Sequence, residues 1–193
     1  MKKKDNALTE NEVFEKTSFG IKNPLRGVYE ECRFLHCDLA HSDLSGIMFR
    51  NCTFENCDLS LVKLRHTGFQ EVRFETCKLL GLQFCDCRPL LLEFEFEGCL
   101  LKLSVFQRLV VRNTRFTGCD LQEADFTAAD LTGSVFTNCD LTRATFERTN
   151  LEKADFRSAF NYSINPETNR IRKARFSLAG IAGLLDAYDI EIE

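Results

Sequence analysis

Residues Thr114 to Phe156 read TRFTGCDLQEADFTAADLTGSVFTNCDLTRATFERTNLEKADF. A bulky apolar residue returns every fifth position: Phe116, Leu121, Phe126, Leu131, Phe136, Leu141, Phe146, Leu151 and Phe156. Two places before each stands a small one: Thr114, Cys119, Ala124, Ala129, Ser134, Cys139, Ala144, Thr149 and Ala154. Neither a helix of period 3.6 nor a strand of period 2 keeps such a pattern in phase over so many copies. The stretch therefore specifies a repeat architecture.

Working outward, the same frame covers nearly the whole chain. A first block is centred on Phe14, Phe19, Pro24, Tyr29, Phe34, Leu39, Leu44, Phe49, Phe54, Leu59, Leu64, Phe69, Phe74, Leu79 and Phe84. The frame then slips by two residues and resumes at Phe96, Leu101, Phe106, Val111 and Phe116. Between the blocks, Pro89 falls where a central residue belongs, and Leu90, Leu91 and Leu92 break the rhythm. This reads as a bulge or small loop.

The frame resembles the pentapeptide-repeat proteins, from about Phe14 to Phe156. The resemblance implies an all-β fold: a right-handed quadrilateral β-helix with one pentapeptide per side and four per turn. The central residue and the small residue two before it point inwards. The sequence tests the twenty-residue turn independently. Across the slip, one column reads Phe14, Phe34, Phe54, Phe74, Phe96, Phe116, Phe136, Phe156 and Phe176. The next reads Leu39, Leu59, Leu79, Leu101, Leu121 and Leu141. A five-residue period alone does not sort Phe from Leu; stacking at a spacing of ~4.8 Å does. About seven coils at that rise make a rod roughly 35 Å long.

The ten cysteines follow the columns. Cys37, Cys57, Cys77, Cys99, Cys119 and Cys139 take the small inward place on the Leu side, Cys32 and Cys52 on the Phe side, and Cys87 another beside the slip. Only Cys85 stands outside the inward set. This favours reduced thiols packed as small apolar groups. A ladder spreads thiolates along a line where a metal needs them convergent. The Cys85-Asp86-Cys87 pair leaves a redox or metal role as a lesser alternative.

The expected organisation is a polar tail over 1–12, a β-helix over 13–160 interrupted near 85–97, and a cap over 161–193. In the cap, Ser177 is placed to start a short helix with Ile181, Leu184, Leu185 and Tyr188 on one face. Tyr188, Ile190 and Ile192 then alternate with acids like a strand. The resemblance implies that this segment, including Ile181, Leu184, Leu185, Tyr188 and Ile190, pairs two chains as a homodimer; a monomeric cap is the alternative.

Composition fits one domain of 193 residues, 44% apolar, with 18 Phe and no Trp. The formal charge is −4. Setting aside Lys2, Lys3, Lys4, Arg170, Arg172, Lys173 and Arg175 leaves 18 bases against 29 acids, a balance of −11 for the body. That argues against DNA or an anionic membrane as the main ligand. No signal peptide and no apolar run of membrane length are present, so a cytoplasmic location is expected.

No phosphate-binding loop or zinc-protease motif occurs. His36, His41 and His66 fall on outward corners without a paired nucleophile. No catalytic, cofactor-binding or metal-binding residue is assigned, and no enzyme is expected. The remaining feature is a set of outward acids. Asp38, Asp58, Asp120 and Asp140 each precede the Leu of the Leu side, in a stripe broken by Lys78 and Leu100. Asp43, Asp125, Asp130 and Asp155 hold the same place on other sides. Asp suits such turns, which is one reading; regularly spaced negative charge able to occupy a DNA groove is the other.

The segments FQEVRFETCKLLG and NYSINPETNRIRKARFSLAGIAGLLDAYDIEIE are similar to the topoisomerase-protecting branch of the family, the quinolone-resistance and albicidin-resistance pentapeptide proteins. That resemblance implies a DNA-mimicking rod that binds bacterial DNA gyrase or topoisomerase IV, without direct contact to nucleic acid, and shields it from inhibitors. Asp38, Asp58, Asp120 and Asp140, with Pro89, Glu93 and Glu95 of the interruption, are the candidate contact residues. A general protein-interaction scaffold with another partner is the competing reading.

Overall fold

The structure, a computed structural model, describes residues 7–20, 24–90, 92–188 and 190–191. Ten strands form one wholly parallel sheet system. They are β1 (Leu8–Glu10), β2 (Val13–Glu15), β3 (Val28–Glu30), β4 (Arg33–Leu35), β5 (Met48–Arg50), β6 (Thr53–Glu55), β7 (Gly68–Glu75), β8 (Leu92–Glu97), β9 (Arg115–Thr117) and β10 (Val135–Thr137). Partners stand twenty residues apart, as in Phe34↔Phe54 and Phe116↔Phe136, except between β7 and β8, where the slip makes it twenty-two, as in Phe74↔Phe96, or twenty-three. Isolated parallel bridges continue the same register outside the strands, such as Asp38↔Asp58 and Asp120↔Asp140. The fold is a four-sided parallel β-solenoid.

The corners explain how a chain turns every five residues. The residue two after each central position repeatedly adopts a left-handed backbone, with φ between 49° and 60° at non-glycine corners. Asn, Asp and His tolerate that region best. His36, His41 and His66 sit there, at φ 52°, 59° and 58°, and are exposed. Their placement is conformational.

The core is a set of stacks. The Phe column is continuous from Phe14 to Phe176, with ring centroids 4.5–5.4 Å apart and rings tilted by 5–15°. The Leu column is buried throughout. The side preceding the Phe column carries Tyr29, Phe49 and Phe69, then Val111, Leu131 and Leu151. The side following the Leu column carries Leu44 and Leu64, then Phe84, Phe106, Phe126 and Phe146.

The small inward residues do more than leave room. Each thiol of the Leu side donates to a backbone carbonyl of the coil before it, as Cys57 Sγ does to Phe34 O at 3.2 Å and Cys139 Sγ to Phe116 O at 3.3 Å. Thr67, Ser104, Ser134 and Thr149 repeat this bond at 2.7–3.2 Å. It satisfies an otherwise buried carbonyl lone pair. All ten cysteines are free thiols. Burial pushes Cys52 up to about 12.

Several details depart from the sequence reading. Pro24 is exposed, and Leu25 is buried in its stead, so the frame shifts by one there. The ladder starts at Leu8, where β1 pairs with β3, inside the stretch assigned to the tail; residues 1–6 lie outside the described residues. It also runs past 160, through Asn150↔Arg170 and Asp155↔Arg175 to Phe176. The column is therefore longer than seven coils. Pro89 is exposed in a turn and is not a central residue. Leu92 stands opposite Phe69, and Phe94 fills the small place opposite Val72.

The expected C-terminal helix is instead two 3-10 turns, Ile181–Leu184 and Asp186–Tyr188. Two close approaches set this. A Cβ at Gly183 would lie 2.1 Å from the Tyr162 carbonyl oxygen, and one at Gly180 2.1 Å from the Tyr162 hydroxyl. The segment thus lies flat on Tyr162, closing the last coil. Leu184 turns inward while Ile181 and Tyr188 face out, so they do not share a face. Ile190 is exposed and outside any strand, and Ile192 lies outside the described residues.

Candidate protein-interaction faces

Asp38, Asp58, Asp120 and Asp140 do lie in one column. Its bridges run Ser18, Asp38, Asp58, Lys78, Leu100, Asp120, Asp140 and Phe160 in order. Each of these aspartates is first a turn-maker. The amide two residues on donates to Oδ1: Ala40 to Asp38 at 3.1 Å, Ser60 to Asp58 at 3.0 Å, Gln122 to Asp120 at 3.2 Å and Thr142 to Asp140 at 3.0 Å. Asp43, Asp125, Asp130 and Asp155 do the same on the other sides. One carboxylate oxygen per aspartate is thereby tied to the corner.

The second oxygen is often taken as well. Lys78 Nζ lies 3.7 Å from Asp58 and Lys102 Nζ 3.1 Å from Asp120. The Gln122 amide donates to Asp140 at 2.9 Å. Burial raises the Asp58 and Asp140 carboxyls, but donors outweigh it: Ser60 and Lys78 at Asp58, and Thr142, Asn161 and Gln122 at Asp140. Both stay below the ordinary aspartate value. At Asp155 the Arg157 side chain is the main cause of the same lowering.

The stripe is therefore two acid pairs with a cation tied to the inner member of each. The Phe side is likewise mixed. Its outward column reads Val13, Arg33, Thr53, Arg73, Glu95, Arg115 and Val135. Glu95 is held by Arg73 at 2.8 Å and lies 3.9 Å from Arg115. Both sides thus carry charges of both signs. Such exposed pairs contribute at most about 1 kcal/mol each, so they set the pattern of the surface more than its stability.

Glu93 and Glu95 do not join the aspartate stripe. They line a separate groove of about 830 Å³, with Arg73, Arg112, Phe94 and Arg115, where the two extra residues lift the chain. Pro89 is exposed in the turn that leads into it. The interruption was visible in the sequence, but nothing there signalled that arginines from neighbouring coils surround it.

At the C-terminal end, Leu178 is 90% exposed, and Ile181, Tyr188 and Ile190 are exposed with it. Leu185 is half-buried, and Leu184 belongs to the cap. Cys85 is half-buried; burial and then Asp86 push its thiol up, which disfavours the thiolate. Among the described residues no three His, Cys, Asp or Glu converge to hold a metal ion, and no helix is long and apolar enough to cross a membrane.

Two family models match the chain: pentapeptide repeats, in eight copies, over residues 119–158, and a pentapeptide repeat region over residues 29–95. Together they span more than half of it. No curated protein matches the chain. Among solved structures, a trypsin-treated variant of QnrB1, a plasmid-mediated fluoroquinolone resistance protein, is 15% identical, with a TM-score of 0.63 over 97% of this chain and 100% of that one. A second trypsin-treated variant of QnrB1 gives 15% identity and a TM-score of 0.62 over 96% and 98%. At this identity the likeness is one of fold.

Proposed function

The chain belongs to the pentapeptide-repeat family, and from that premise we propose that it is a non-catalytic cytoplasmic rod that binds a bacterial type II topoisomerase, DNA gyrase or topoisomerase IV. A filled core and regular outer faces support a protein-interaction scaffold. The observation that carries the choice of partner is the end-to-end likeness of fold to a fluoroquinolone resistance protein. The exposed Leu178, Ile181, Tyr188 and Ile190 support pairing of two rods at their C-terminal ends.

The test is a gyrase supercoiling assay with and without a fluoroquinolone, at several salt concentrations. Rescue of poisoned activity, lost in a folded Asp120→Lys/Asp140→Lys variant, supports the reading. No effect at protein well above the enzyme concentration removes it. The broken charge along the aspartate column favours a second reading, a scaffold for some other protein. A DNA mimic calls for uninterrupted negative charge, and Lys78, Leu100 and Lys102 break it.

A further inference from the structure

The middle of the aspartate side carries a group of leucines. Three consecutive rungs present outward Asp58, Ser60 and Leu61; Lys78, Leu80 and Gly81; and Leu100, Lys102 and Leu103. Leu61 is 55% exposed, Leu103 56% and Leu100 40%, with Leu80 half-buried among them. Two details shape the patch. Gly81 has φ +65°, and a Cβ there would meet Leu61 Cδ2 at 2.8 Å, so Leu61 lies down over a corner without a side chain. The two lysines lean away: Lys78 towards Asp58, Lys102 towards Asp120. The leucines are left uncovered between two acidic borders.

Charge decides what covers them. The column Asp38, Asp58, Lys78, Leu100, Asp120, Asp140 carries its acids symmetrically about its middle. Set against a second copy of itself in parallel, it places each acid on the same acid. Set antiparallel, it places Asp38 on Asp140 and Asp58 on Asp120. Lys78 and Lys102 offset the inner acids, so the repulsion falls on the outer acids Asp38 and Asp140 in either setting, and the occupant is basic at its ends and aliphatic in its centre.

We propose that Leu61, Leu80, Leu100 and Leu103 form a docking patch for an amphipathic helix of a partner protein, with Asp38 and Asp140 receiving basic residues at the helix's two ends. The dimensions agree. Two rung steps between Leu61 and Leu103 span about 10 Å, which aliphatic residues at i, i+4 and i+7 cover on a helix. Five steps from Asp38 to Asp140 span about 24 Å, close to the ~22 Å between basic residues placed four positions outside those anchors. The proposal rests on the protein-binding reading of the rod and not on topoisomerase as the partner.

The test uses the full chain and a fluorescent helical peptide built on alanine, with leucines at i, i+4 and i+7 and an arginine four residues beyond each end. Anisotropy should show saturable binding. A Leu61→Asp/Leu103→Asp variant should bind at least about tenfold more weakly, as should a peptide with glutamates for the arginines. Aspartate suits the left-handed corners at 61 and 103, so this variant keeps its fold, as circular dichroism will verify. Failure to saturate near millimolar protein, or equal binding by the folded variant, overturns the patch. A lower sedimentation coefficient for the variant than for the parent chain overturns the heterologous occupant in favour of a second copy. Gyrase rescue that persists in the variant separates the patch from the topoisomerase reading.

Discussion

The coils before and after Phe84 solve the same packing problem differently. In the first block each level holds two aromatics on neighbouring sides, as in Tyr29 with Phe34 and Phe49 with Phe54, with centroids 5.8 and 5.2 Å apart, edge to face. In the second block the paired aromatics stand across the core, as in Phe96 with Phe106 and Phe116 with Phe126, at 6.3 and 6.2 Å. The other two places are aliphatic in both. What the rod keeps constant is the volume filled per coil; which side supplies it is free to change. The change happens at the slip, where Phe94 occupies a small-residue place and touches Phe69, Phe84 and Phe96.

That comparison is broken most directly at its hinge. Phe84→Ala removes the first rung of the new aromatic column and the ring that meets Phe94. We expect a loss of ~3–5 kcal/mol in urea unfolding. A smaller effect comes from moving the aromatic back within the second block. Phe126→Leu with Leu131→Phe keeps the volume but sets each residue into a foreign stack. It should cost about 2–3 kcal/mol by the same measurement, and a neutral result would show that columns do not matter.

The thiol ladder spans both blocks and separates shape from hydrogen bonding. Cys119→Ala loses the donor to the Phe96 carbonyl and should cost about 1 kcal/mol. Cys119→Ser should sit near neutral in thermal melts, because Ser104 and Ser134 already serve in that place.

The smallest contrast is in acid. Asp43 and Asp58 in the first block, and Asp125, Asp130, Asp140 and Asp155 in the second, are held below the usual aspartate value of about 3.9. A lowered folded value means that stability is full above about pH 4 and is lost as pH falls through the folded values. Hydrogen exchange at pH 3 should therefore show the second block loosening more than the first relative to pH 6. Equal loosening would mean that the corner carboxylates add nothing net.

The columns were legible in the sequence because stacking leaves one solution per side: nine Phe at twenty-residue intervals, with one interval of twenty-two at the slip, leave little else to infer. Pro24 misled because its neighbour Leu25 is as good a core residue and the period alone does not choose between them. The cap misled for another reason. Ile181, Leu184, Leu185 and Tyr188 have helical spacing, but Gly180 and Gly183 are there to touch Tyr162, a contact from an earlier part of the chain. Among the candidate contact residues, the aspartate column and its gaps could be read. That the gap at Leu100 joins Leu61, Leu80 and Leu103 could not be read along one column, since those leucines lie outside it.

The uniform register has a consequence for how the rod grows. Almost every coil bonds to the chain twenty residues away, so adding a coil closes a loop of the same length wherever growth stands. The entropy cost of extension does not climb with the length of the protein. The slip lengthens one such loop to twenty-two residues, from Phe74 to Phe96. That difference amounts to less than about 0.1 kcal/mol of closure entropy. A chain that begins to coil in either block can run through the interruption into the other with no toll from loop length, and the cap need only form once the last Phe has found its stack.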